Sequence, residues 1–258
     1  MEKTLSAYTI PCTQQWAMHA ADGKREYCIS LYIPKEDAPE EGYPVIYLLD
    51  ANALFGSVVE AVRLQMDKPA VVVGIGYPTE AAYYMENGAY DYTVSVPNSD
   101  WQETGGADAF LHFLEHQVMP GVTEKVLINM EKSALFGHSL AGFFTLYVLF
   151  NRPDLFGTYI AGSPAICWKD NLLITLEDQL LRMFQEWEES GNLQFKSLLL
   201  GVGAAEDMSV IEAVRDMHTR MSKWQLSNFE TDLRIFLEEG HISVLHPLIS
   251  RGLAHFLE

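Results

Sequence analysis

The stretch "KSALFGHSLAGFFTLYVLF", Lys132 to Phe150, decides the fold. A short apolar run ends in Ser139, set among small residues, and a second apolar run of helical character follows at once. A polar hydroxyl at such a transition has two readings. Ser139 caps the helix as an ordinary N-cap residue, or a strained strand-to-helix turn displays it as a nucleophile. "GHSLAG" approximates the pattern G-x-S-x-G, with Ala141 at the final glycine position and Gly142 just after it. The pattern needs small residues because neighbouring backbone approaches the turn closely. Alanine serves at position 141 if no positive φ is required there. A strand before the serine and a helix after it are the context in which the catalytic reading prevails over the cap.

Outward from this turn the same rhythm repeats. "VIYLL" (45–49), "AVVVGIG" (70–76), "SALF" (133–136), "TYIAGS" (158–163), "FKSLLLGVG" (195–203) and "LRIFLE" (233–238) are continuous apolar runs. Runs of this kind belong to parallel strands covered on both faces by helices. "GGADAFLHFLEHQVMPGV" has apolar residues at helical spacing, with Pro120 and Gly121 as expected stop signals. "MSVIEAVRDMHTRMSKWQL" and "SVLHPLISRGLAHFLE" read as further helices. The N-terminal runs "AYTIPC", "QQWAMHA" and "EYCISLYIP" read as strands, the last two joined by a hairpin turn at "ADGK", which predicts an antiparallel start. The expectation is one α/β domain over residues 1–258, with an α/β-hydrolase sheet of about eight strands. Residues 169–192 form either a lid or a crossover helix between two parallel strands.

The 258 residues carry 17 Lys and Arg against 35 Asp and Glu, a formal net charge of −18. Such a chain lacks the clustered cations that nucleic acid or an anionic membrane surface demands. No apolar run approaches the length of a membrane span, and no secretory leader pattern opens the chain. Cys12, Cys28 and Cys167 have no paired spacing that points to a disulfide framework or a zinc site. A soluble protein with reduced thiols, cytoplasmic and without metal, is the expectation.

A serine hydroxyl needs a histidine to take its proton and an acid to orient that histidine. On this fold the chain order is Ser, acid, His. His241 follows the last strand, with Gly240 freeing the loop, and His246 is the fallback at a helix start. His218 and His255 fall within helical patterns. After the penultimate strand, Glu206 and Asp207 both qualify as the acid, Glu206 being favoured; either would also suit the positive start of the following helix. An oxyanion needs two backbone N–H donors. Leu140 follows the nucleophile, and "YLLDANALF" supplies Asn52, with Ala53 as the alternative at the edge of the substrate pocket. Asp50 is expected to hold this loop.

Taken together, "VIYLLDANALF", "YDYTVSVP", "GGADAFLHFLEHQVMPGV", "LFGHSLAGFF", "NRPDLFGTYIAGSPAICW", "GVGAAED" and "EEGHISVLHPLISRGLAHFL" resemble the esterase D family of α/β-hydrolases. The likeness is strongest to its enterochelin (siderophore) esterase-like members. The resemblance implies hydrolysis of a small-molecule carboxylic ester with no metal or organic cofactor. It places the nucleophile on Ser139, the base on His241, the acid on Glu206, and the oxyanion amides on Asn52 and Leu140. It also sets Ser163 and Trp168 near the pocket; as residues they read equally as a buried turn and a packing aromatic. Two departures stand out: Ala51 replaces the family's glycine after Asp50, and "NGA" (87–89) replaces a basic residue before "YDYT". Rival expectations are acyl transfer to an alcohol and a catalytically silent binding protein of the same fold.

Overall fold

The computed structural model describes residues 9–258, apart from 22, 66–67, 96–102, 169–171 and 193. Eight strands form one sheet: β1 (Thr13–His19), β2 (Glu26–Tyr32), β3 (Tyr43–Leu48), β4 (Val71–Gly76), β5 (Ile128–His138), β6 (Thr158–Gly162), β7 (Lys196–Gly203) and β8 (Phe229–Phe236). Their order across the sheet is β1-β2-β4-β3-β5-β6-β7-β8. The β1/β2 and β2/β4 pairs are antiparallel, and every other pair is parallel. This is the α/β-hydrolase sheet, with the antiparallel start that the N-terminal patterning predicts.

Continuous apolar runs arise because both sheet faces are covered. Along β3, Val45 and Tyr47 join one core cluster while Ile46 and Leu48 join the other, the period of two that sends alternate side chains to opposite faces. Helices α1 (Ala51–Arg63) and α8 (Leu245–Leu257) cover the Ile46 face. The Tyr47 face is covered by α3 (Ala107–Phe113), α5 (Leu140–Asn151), α6 (Leu172–Ser190) and α7 (Met208–Met221). Helix α5 is buried from Ala141 to Phe150, which accounts for its apolar residues on every side.

Four places bear on the sequence expectation, and the structure departs from it at two of them, "AYTIPC" and the Pro120–Gly121 stop. "AYTIPC" contains no strand among its described residues: Pro11 and Cys12 form a turn, with Cys12 at φ 64°. The β1–β2 turn closes through the Ala20 N–H bonded to the Arg25 carbonyl, although Asp22 of "ADGK" lies outside the described residues. Pro120 and Gly121 do not stop their helix. Helix α3 runs through a π turn (Leu114–Val118) into α4 (Met119–Thr123), where Pro120 occupies the first turn. A proline there needs no intrahelical N–H, and the wider π turn precedes it. Finally, α6 connects the parallel strands β6 and β7, the position of the crossover alternative. It buries Leu173, Leu180 and Phe184, and its buried Glu177 receives both Nε and an Nη of Arg220 from α7, at 2.7 and 2.6 Å. Residues 169–171 of the expected lid segment lie outside the described residues.

Candidate active site

The chemistry-bearing residues stand at the carboxyl ends of the central strands, where parallel sheets place their sites. Ser139 follows β5 with φ 58° and ψ −117°, a left-handed conformation that is rare for a residue with a Cβ. Its backbone is fastened on both sides. The Ser139 N–H donates to the Gly162 carbonyl at 2.9 Å, and its carbonyl accepts from Phe143 and Ala165. The side chain makes no capping bond to α5, so the hydroxyl is not occupied as an ordinary N-cap.

The small residues of the turn have separate reasons. A Cβ on Gly137 would stand 2.1 Å from the Ala141 carbonyl oxygen, and one on Gly142 would stand 2.8 Å from the Gly162 carbonyl oxygen. Both positions exclude a side chain because the obstacles are backbone. Ala141 lies in regular helix and is absent from the positive-φ residues, so alanine fits there.

His241 and Glu206 are in direct contact. Nδ1 of His241 donates to Oε2 of Glu206 at 2.6 Å. The other carboxylate oxygen, Oε1, accepts from the Ser163 hydroxyl at 2.6 Å and the Gly203 N–H at 2.8 Å. Burial alone would raise the Glu206 pKa, but the Ser163, His241 and Gly203 hydrogen bonds outweigh it and hold the carboxyl below its ordinary value. Asp207, the alternative acid, is exposed and serves as the N-cap position of α7, where it makes no side-chain capping bond.

Three residues expected at the pocket make contacts of another kind. Ser163 is 1% exposed, at φ 38°, and its hydroxyl is directed to Glu206 instead of lining the cleft. Trp168 packs against the core and donates its indole N–H to the Val94 carbonyl at 3.2 Å. Ala53 packs toward the Ile46 face, and its N–H is bonded to the Asp50 carbonyl at 3.0 Å. One residue earlier on α1, Asn52 has a backbone N–H with no hydrogen-bond partner among the described residues. Its side chain clamps the chain after β4: Nδ2 donates to the Tyr77 and Thr79 carbonyls, and Oδ1 accepts from the Tyr77 N–H. The Leu140 N–H, first on α5, likewise has no partner among the described residues.

Ser139, Leu140 and His241 line one cleft of about 160 Å³. Its far wall is aromatic and apolar, from Tyr83, Tyr84, Met85 and Tyr92, with Ile242 at the rim. Two further residues stand in this wall, of which His138 escaped the sequence reading and Asp50 was expected only to hold its loop. His138 is 4% exposed, packs its ring 4.6 Å from that of His241, and has no hydrogen-bond partner for either ring nitrogen among the described residues. Burial, followed by the neighbouring His241, lowers its pKa to about 4, so it is neutral at ordinary pH. Asp50 also lines the cleft and is bonded to Tyr92. His138 could have been noticed as the x of G-x-S; the Asp50–Tyr92 contact spans 42 positions and leaves no local signal.

A parallel sheet carrying a serine on a strained turn, followed in sequence by an acid and a histidine in contact, defines an α/β-hydrolase. Residues 21–236 match the model of the family described as "Putative esterase", and the chain belongs to that family. It is similar to the ferri-bacillibactin esterase BesA of Bacillus subtilis, with 36% identity over 97% of this chain and 91% of that protein. It is also similar to the siderophore triacetylfusarinine C esterase of Aspergillus fumigatus, with 29% identity over 83% of this chain and 82% of that one. Among solved structures, the BES protein from Bacillus cereus superposes with a TM-score of 0.91 at 31% identity, each chain covered completely. The protein is a carboxylic ester hydrolase.

Proposed function

We propose that this esterase opens the ester bonds of a siderophore through an acyl-enzyme on Ser139. His241 takes the hydroxyl proton as Ser139 attacks and returns it to the leaving alcohol. Water then repeats the exchange and releases the acid. Glu206 holds the Nδ1 tautomer of His241 and stabilises the imidazolium. The unpaired N–H groups of Leu140 and Asn52 receive the developing oxyanion. The observation that carries this reading is the 2.6 Å contact of Glu206 with a histidine sharing Ser139's cleft.

The siderophore assignment is supported by what the similar proteins are named for. A cleft of about 160 Å³ holds one aromatic acyl arm against Tyr83, Tyr84 and Met85, while the rest of a larger ester remains outside. Among the described residues no Lys or Arg lines the cleft, and its aromatic side chains are the recognition surface it offers. The three free cysteines suit a reducing compartment such as the cytoplasm, and no helix among the described residues is long and apolar enough to cross a membrane.

The test is chromatography of a cyclic triscatecholate lactone, iron-free and ferric, incubated with the wild type and with Ser139→Ala. Linear ester fragments are expected from the wild type only. Equal cleavage by the variant would overturn the assigned nucleophile, and an intact lactone alongside hydrolysis of simple aryl esters would overturn the substrate.

A further inference from the structure

Asp50 follows β3 in a left-handed conformation, φ 51° and ψ 45°, and occupies the N-cap position of α1. An aspartate at that position ordinarily accepts the first free N–H groups of its helix. Asp50 makes no such bond. Its carboxyl instead accepts the Tyr92 hydroxyl on Oδ1 at 3.1 Å, and the same phenol oxygen accepts the Asp50 N–H at 3.3 Å. One buried phenol thus holds both the backbone and the side chain of the residue from which the oxyanion turn departs. The Asp50 carbonyl takes the N–H groups of Ala53 and Leu54, and the Asn52 N–H has no partner among the described residues.

This carboxyl lines the cleft that holds Ser139 and His241, and no Lys, Arg or His forms an ion pair with it among the described residues. Hydrolysis develops a negative charge in the same cleft, where poor solvation makes a second negative charge costly. We propose that Asp50 is a positioning residue that serves the reaction as a neutral carboxylic acid, so that its ionisation switches ester hydrolysis off toward alkaline pH. The inference rests on the serine esterase reading given above.

The groups around Asp50 agree with a neutral acid. Tyr92, Tyr77 and Tyr83 face it from the segments after β4, and burial raises the pKa of all three phenols. Asp91, bonded to the Tyr77 hydroxyl, is pushed by burial to about 6. Across the cleft stand neutral His138 and the reacting His241. Burial pushes Asp50 itself up to about 7, and the Tyr92 hydrogen bond opposes this in part. The sign follows. Below about 7 the carboxyl is neutral and the oxyanion meets no like charge. As pH rises past that value the carboxylate forms and the rate falls.

The experiment records kcat/KM for p-nitrophenyl butyrate from mildly acidic to alkaline pH, with the wild type, Asp50→Asn and Tyr92→Phe. The wild type is expected to give a bell, falling about tenfold on the alkaline side. Asp50→Asn, which cannot ionise, should retain its acid limb and run flat above it. Tyr92→Phe removes the bond that favours the carboxylate, so its alkaline limb should move to higher pH. A flat wild-type profile, the same alkaline fall in Asp50→Asn, or an unmoved limb in Tyr92→Phe would each overturn the proposal. The carboxyl C=O band in infrared difference spectra, wild type minus Asp50→Asn, reads protonation without turnover. A band lost before neutral pH would overturn the inference on its own, whereas absence of hydrolysis of any ester would instead remove the esterase reading.

Discussion

Glu206 and His241 form an asymmetric pair: the carboxylate side chain is 2% exposed and the imidazole 44% exposed, across a contact of 2.6 Å. The buried partner is held by two further donors, Ser163 and Gly203, and therefore has a fixed place. The open partner can meet substrate, leaving group and water. A fixed acid beneath an accessible base is the arrangement that keeps one tautomer of the histidine ready.

Glu206→Gln preserves shape but can present an amide donor to Nδ1, favouring the wrong tautomer of His241. A fall of about 10²- to 10⁴-fold in kcat is expected, with KM changed little. Steady-state kinetics on an aryl ester measures both, and an unchanged kcat would remove Glu206 from the proposed triad.

Ser163→Ala takes one of three hydrogen bonds from the Glu206 carboxylate, so the pKa of Glu206 should rise from its lowered position. A depressed carboxyl contributes stability above its unfolded pKa, and that contribution disappears as pH falls through the folded pKa. In the variant the loss should therefore begin at a higher pH. Urea midpoints across the acid range would reveal it, and identical acid profiles would mean that Ser163 does not tune the acid.

The glycines of the nucleophile turn separate by position. Gly137→Ala should abolish soluble expression or cost several kcal/mol, because the added Cβ meets backbone at 2.1 Å. Ala141→Gly restores the usual motif letter and should cost only about 1 kcal/mol, as glycine within a helix does. Thermal unfolding of the two variants distinguishes backbone obstruction from mere departure from the motif.

Arg220→Ala removes the partner of buried Glu177 and should destabilise the fold by about 2 kcal/mol, discounted because the Arg220 side chain is 37% exposed. Activity per folded molecule should not change, since the pair joins α6 to α7 away from the cleft. A selective loss of kcat at full stability would contradict the crossover role of α6.

Asp50→Asn also has a stability signature. With its pKa pushed from the ordinary 3.8 up to about 7 in the fold, Asp50 destabilises the fold progressively as pH rises between those values. The asparagine variant should gain about 2 to 4 kcal/mol over the wild type at pH 8 and nothing at pH 3. Urea denaturation at the two pH values checks the difference.

Much of this molecule follows from local sequence. The apolar runs from Val45 to Leu49 and from Phe195 to Gly203 predict buried parallel strands, because covering both faces leaves no place for alternation. "GHSLAG" predicts its own turn for a similar reason, since only small residues survive where backbone crowds backbone. Strand ends were less legible: β5 begins at Ile128 and β8 at Phe229, and the added residues are mixed in polarity, so their pairing partners rather than their hydropathy extend them.

The sequence by itself determined the α/β class and the chain order of the proposed triad, Ser139, Glu206 and His241, since each depends on residue type and on position relative to a strand. Only the tertiary structure set Glu206 rather than Asp207 against His241, directed the Ser163 hydroxyl to Glu206, and brought Tyr92 to Asp50 and His138 to His241. Those contacts join segments far apart in the chain. Their geometry comes from the twist and register of the sheet that carries them, which no local pattern of residues encodes.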